Sequence, residues 1–271
     1  MIDVHTHLHP PRLSAAIRRW FAEHSTWALH APTEPHAVAR TLREQGVERF
    51  AFCSYAHKPG IARDLNAWLA RTARELGPGA VPLATVHADD RDPAGDLRDA
   101  MRAGCAGLKL HEDVQRFELD DSRLAGVLDV VAEHEGFVLA HVGRIPWSAD
   151  THDGPARVAR VLERHPALRV VVAHFGMPDG ARYLDLAARE PRLFLDTTMA
   201  FAPESPIRMG PPIARADVER GAKQIVLGSD WPNIPYAYDG DLRGLRALGL
   251  DAATLRAITS ENARRLTPAF S

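Results

Sequence analysis

The chain has 271 residues, 45% hydrophobic and 25% charged, a composition that excludes a disordered or fibrous protein. With 33 Lys and Arg against 35 Asp and Glu, its formal charge of −2 offers no basic footprint for nucleic acid. No apolar run reaches the ~18–20 residues of a membrane span.

Two cysteines, Cys53 and Cys105, cannot build a disulfide framework and are expected as reduced, buried thiols. The opening Met-Ile-Asp-Val-His-Thr-His has neither the basic nor the apolar region of a secretory signal, so the expected location is the cytoplasm. The length suits one α/β barrel of ~250 residues, and a single domain over 1–271 is expected.

Short apolar, β-branched runs recur at residues 2–7, 49–54, 81–87, 107–111, 137–141, 170–174, 193–198 and 225–230. Several are apolar at consecutive positions, as in Val170-Val171-Val172-Ala173, which suits strands covered on both faces. Helical spacing falls between them. Residues 34–45 begin near Pro35 and stop at Gly46. Residues 93–102 follow Asp92, an N-cap type. Residues 122–134 carry Leu124, Val127, Leu128 and Val131 on one face. Residues 155–164, 180–189 and 252–266 behave alike. Eight strand–helix units predict an α/β fold, a single (β/α)8 TIM barrel. The doubly wound alternative lacks its Gly-x-Gly-x-x-Gly fingerprint after every strand. Segments 8–33 and 199–214 are long for loops. The first holds Trp20, Phe21 and Trp27 and the second four prolines, and both are expected as walls or lids at the C-terminal rim.

The 14 histidines are informative by position. His5 and His7 stand two apart on a strand, so both point to one face and supply half of a tetrahedral or five-coordinate metal site. His141, His174 and Asp230 each close an apolar run. A polar group buried there is costly unless something satisfies it. Five such residues at four C-terminal strand ends converge on one mouth, and His and Asp suit Zn²⁺ or a similar ion, with Mn²⁺, Fe²⁺ and Ni²⁺ as alternatives.

The motifs Asp3-Val4-His5-Thr6-His7, Gly107-Leu108-Lys109-Leu110-His111 and Gly228-Ser229-Asp230-Trp231-Pro232 follow in order, and the tail ends Glu261-Asn262-Ala263-Arg264-Arg265-Leu266. In these the whole chain resembles the amidohydrolase superfamily, in its amidohydrolase-related branch. That branch includes lactonases, amide and ester hydrolases, and aminocarboxymuconate-semialdehyde decarboxylase-like enzymes. The resemblance implies that His5, His7, His141 and Asp230 are metal ligands. It makes His174 a proton carrier or a hydrogen-bond donor to substrate, and Asp230 the proton shuttle. Lys109 is read three ways: as a binder of a substrate carboxylate, as an ion-pair partner, or as a carbamylated bridge between two metals. His111, Arg144, Trp147 and Trp231 are further substrate-binding candidates. Asp179, Tyr236 and Tyr238 are weaker rim candidates. Asp196 is expected to cap a helix or support a ligand, and His57 and His87 to be structural. His24, His30, His36, His134, His152 and His165 are expected at the surface.

The function expected is metal-dependent hydrolysis of a small amide, ester or lactone, its substrate carrying a carboxylate. The alternative is nonoxidative decarboxylation, which retention of His5 mildly disfavours, because some decarboxylases of the branch carry Glu there. A small-molecule substrate is the expected partner, and a cyclic dimer the default assembly.

Overall fold

The structure, a computed structural model, describes residues 1–142, 153–207 and 209–271. Arg144 and Trp147 lie outside the described residues. The elements, in chain order, are β1 Ile2–His7, α1 Pro11–His24, α2 Pro35–Glu44, β2 Arg49–Cys53, α3 Ala62–Leu76, β3 Ala80–Leu83, α4 Pro93–Arg102, β4 Gly107–His111 and α5 Glu112–Gln115. There follow α6 Ala125–Glu133, β5 Phe137–His141, α7 Gly154–Arg164, β6 Arg169–Val172, α8 Gly180–Ala187, β7 Leu193–Asp196, α9 Arg215–Gly221, β8 Ile225–Val226, α10 Gly240–Ala247 and α11 Ala252–Arg256.

All strand pairs are parallel, in two runs, β1-β2-β3 and β4-β5-β6-β7-β8. Two isolated bridges join their ends. Ala84 pairs with Leu108, and Thr6 pairs with Trp231 just beyond β8. Backbone hydrogen bonds reinforce the second seam, with Val4 N donating to Leu227 O at 2.8 Å and His7 N to Trp231 O at 2.7 Å. The strands thus close in sequence order into the expected (β/α)8 barrel.

Ile2, Val4, Leu139, Val171, Phe194 and Val226 fill one core cluster with the C-terminal Leu266 and Phe270, while Val138, Val170 and Val172 pack with Val127, Val131 and Val158 of the helices. Every strand is therefore covered on both faces, which explains the absence of alternation in the sequence.

Several boundaries differ from expectation. Segment 8–33 is not a plain loop, since it contains the 14-residue α1, with Pro11 in its first turn. The apolar runs 170–174 and 225–230 outlast their strands. β6 stops at Val172 because His174 and Phe175 turn left-handed at φ 56° and 55°. β8 is only two residues, and Asp230 lies beyond it at φ 58°. Helices α3, α9 and α10 had no assigned counterpart in the sequence.

Candidate active site and metal centre

The first strand delivers its histidines at the C-terminal mouth. His5 Nε2 and His7 Nε2 are 3.2 Å apart. Asp230 Oδ1 reaches both, at 3.3 Å and 2.7 Å. All three residues are buried. Ligand atoms about 2.0–2.2 Å from a common ion, at ordinary coordination angles, lie about 2.8–3.5 Å apart. The donor set therefore fits one divalent cation.

The neighbours of each ring turn its lone pair towards that point. His5 Nδ1 donates to Asp196 Oδ2 at 2.7 Å, which leaves Nε2 as the acceptor. His7 Nδ1 lies 3.4 Å from Cys53 Sγ, whose thiol donates to Thr6 O at 3.3 Å. The sulfur is thus left to accept from His7. Asp196 also accepts from the backbone N–H groups of His174 at 2.8 Å and Thr198 at 3.0 Å. The carboxylate is thus fixed from three sides. Gly228 makes room for it, because a Cβ there would lie 2.9 Å from Asp196 Cβ and from Thr198 Oγ1. Asp196 thus orients His5, a candidate ligand.

Asp3, the first residue of the sequence motif, is not in the mouth. Its carboxylate accepts from His5 N at 3.1 Å and from Tyr238 OH at 3.0 Å, stiffening the strand from behind. Two details of charge complete the centre. Burial works against ionisation of Asp230, yet His7, His5 and His174 outweigh it and hold its carboxyl well below the usual range. Burial opposes a proton on His7 as well, but Cys53 and Asp230 push its pKa up to about 9. The group thus attracts positive charge, which a metal ion would supply.

The remaining histidines form the opposite side. His111 and His141 stack with centroids 3.9 Å apart, and His141 lies 4.6 Å from His174. His141 stands outside the close group of His5, His7 and Asp230. His174 lies 5.5 Å from His5, and its Nδ1 is buried without a hydrogen-bond partner. Lys109 Nζ approaches His5 Nε2 at 3.4 Å, and burial pushes its pKa down.

Above them opens a cavity of about 890 Å³. His5, His7, Lys109, His111, His141, His174 and Asp230 all line it. Trp20, Phe21 and Trp27 from segment 8–33, and Met199, Ile207 and Met209 from segment 199–214, form walls as anticipated.

Trp231 does not line the cavity, contrary to expectation. Its backbone closes the seam with Thr6, and its indole packs outward near Leu8, Leu227 and Tyr238, so Asn233 faces the cavity instead. Tyr236 and Tyr238 likewise point away, donating to Asp241 and Asp3. His57 and His87 do line the cavity. His165, expected at the surface, is buried, with Nδ1 2.7 Å from Asp129 Oδ1. Sequence reasoning passed over His9 and Tyr55. His9 continues the two-residue spacing of His5 and His7, stacks on His7 at 5.6 Å, and lies 2.8 Å from Ser54 Oγ. The run His5-Thr6-His7-Leu8-His9 was the available signal.

No curated protein sequence matches the chain. Among solved structures, an uncharacterized TIM-barrel protein from Bordetella bronchiseptica is similar at TM-score 0.75 and 20% identity, over 100% of this chain and 99% of that one. A probable 2-pyrone-4,6-dicarboxylic acid hydrolase from Acinetobacter baumannii is similar at TM-score 0.67 and 16% identity, over 98% of each chain. A 5-carboxyvanillate decarboxylase from Sphingomonas paucimobilis is similar at TM-score 0.68 and 14% identity, over 99% of this chain and 98% of that one. These identities establish a shared fold. The model of the amidohydrolase family matches residues 2–268, and a His–His–Asp centre is the kind of site this metal-dependent family requires, so the chain belongs to the amidohydrolase family.

Proposed function

We propose that the protein is a metal-dependent hydrolase of a small ester, amide or lactone whose substrate carries a carboxylate. The observation that carries this reading is the convergence of His5 Nε2, His7 Nε2 and Asp230 Oδ1 within 3.3 Å of one another at the cavity floor. His141 would complete the ligand set from β5. A divalent ion held there lowers the pKa of water to ~7 and polarises a carbonyl.

The chain's own groups do the rest. The Asp230 carboxylate, kept ionised by the surrounding imidazoles, takes the proton of the attacking water and passes it to the leaving oxygen or nitrogen. His174, which lines the cavity beside His5, donates a ring N–H to the oxygen on which charge develops. Lys109, buried beside His5, attracts a carboxylate on the substrate through a weakly screened Coulomb field. The hydrolase named among the structural neighbours supports this reading, and the decarboxylase among them supports the competing one.

The test is product analysis with zinc- or manganese-loaded protein in ¹⁸O-water, using a panel of lactones, aryl esters and carboxylated aromatics. Incorporation of one ¹⁸O into the product, dependent on Asp230, is expected. Release of CO2 without ¹⁸O in the remaining product would replace hydrolysis with decarboxylation.

A further inference from the structure

The cavity wall is divided by chemistry, and the division follows the barrel order. Strands β6, β7, β8 and β1 are consecutive around the ring, since β8 meets β1 at the Thr6–Trp231 bridge. The segments after β6, β7 and β1 supply an apolar arc, made chiefly of Met177, Met199, Ile207, Ile17, Phe21 and Trp27. The segments after β2, β3 and β4 supply a polar arc that includes Tyr55, His57, Lys58, His87, Gln115 and Arg116.

The apolar arc is not a solid wall. Met177, Met199, Ile207 and Met209 also line a second cavity of about 130 Å³ behind it, between α8 and segment 199–213. Thioether side chains are flexible and repack easily, so this wall can yield to an apolar group that presses on it.

The polar arc carries uncommitted positive charge. Asp89 is paired with Arg123, which also holds Asp121, and Asp113 is engaged in contacts of its own. Lys58 and Arg116 line the cavity, yet their side chains have no ion-pair or hydrogen-bond partner among the described residues. Arg116 is also set in place deliberately by the chain. It sits left-handed at φ 59°, with its N–H on Glu112 O at 2.7 Å, and Glu112 is clamped by the buried Arg157 at 2.7 Å. This is the left-handed C-cap of α5, which fixes where the Arg116 backbone leaves that helix.

We infer that the site takes a two-ended substrate: an aryl or alkyl arm lies on the α1–methionine arc, and an anionic group remote from the reacting centre is held at the mouth by Lys58 and Arg116. This rests on the proposed function for the reacting centre but concerns different residues. Guanidinium and ammonium groups at a cavity mouth select anions by charge and, for arginine, by paired hydrogen bonds. The arm contributes by burying apolar surface.

The experiment is calorimetric titration of the metal-loaded protein with 4-phenylbutyrate, its neutral analogue 4-phenylbutanamide, and butyrate, repeated after EDTA treatment. At least tenfold tighter binding of 4-phenylbutyrate than of either other ligand is expected, and EDTA should leave that preference intact. In the double variant Lys58→Gln/Arg116→Gln the preference over the amide should fall about tenfold, with amide binding unchanged. Equal binding of acid and amide, an unaltered preference in the double variant, or absence of binding by all three would overturn the inference. Loss of the preference with EDTA would overturn it too, by moving the anion to the metal. Because no turnover is measured, failure of the hydrolase reading in ¹⁸O-water would be seen separately.

Discussion

The two sides of the metal centre are built by different means. On the β1–β8 side two candidate ligands are oriented by hydrogen bonding, His5 by Asp196 and His7 by Cys53. On the β4–β6 side His111 accepts from Val114 N at 3.4 Å, His141 and His174 are packed by ring contacts, and the Nδ1 of His174 has no hydrogen-bond partner among the described residues. Hydrogen bonds fix the tautomer and aim of an imidazole, as a metal requires. Ring packing fixes position without fixing a tautomer. One side is finished as a cation holder, and the other is left open for chemistry.

The sharpest way to break this contrast is on the finished side. His7→Ala should reduce bound metal from about one equivalent to less than about a tenth, since only two of the three close donors, His5 and Asp230, then remain. Plasma mass spectrometry of protein purified without chelator reads this, and retained stoichiometric metal would remove His7 from the ligand set. On the open side, His174→Asn should keep the metal and lower kcat about 10²–10³-fold, the usual loss on removing one donor to a developing oxyanion. Steady-state kinetics beside metal analysis would expose the opposite result, metal loss, as a ligand role for His174.

A milder test bears on Asp196. Asp196→Ala should weaken metal affinity about 10–100-fold without abolishing it, measured by competition with a chelating dye. Unchanged affinity would mean that the His5–Asp196 hydrogen bond serves stability alone. The smallest effect belongs to Glu112, away from the metal. Burial pushes its carboxyl up to about 7 from an ordinary 4.5, against the pull of Arg157. The folded state therefore holds this proton more tightly than the unfolded chain, a contribution complete below pH 4.5 and lost as pH rises to 7. Glu112→Gln does not titrate, so its Tm relative to wild type should rise over that window, by about 2–4 °C for each kcal/mol that the shift contributes. A constant difference in Tm would show that Glu112 is already ionised throughout.

The barrel was legible in the sequence because buried parallel strands are written as consecutive apolar residues, and the intervening helices announce themselves by caps such as Asp92 and Glu34. The histidines and Asp230 were legible because polar residues stand at the ends of apolar runs. What escaped notice lacked such marks. Helix α1 has no side-chain cap, and Pro11 at its start, standing in a His-Pro-Pro run, did not set it apart from a loop. Trp231 looked like a rim aromatic, but sequence order does not tell which way a residue turns once its backbone is used to close a seam. The support given by Asp196 joins residues far apart in the chain, and local pattern carries no trace of it.

The seam between β1 and the segment after β8 has a consequence in time. Two of the candidate ligands, His5 and His7, leave the ribosome long before Asp230 and the Leu227 and Trp231 carbonyls that fasten β1. Until the last strand arrives, the paired imidazoles have neither their carboxylate nor the backbone that holds them. Tight metal capture is thus deferred until the ring has closed, and the loaded centre acts as a receipt for completed folding.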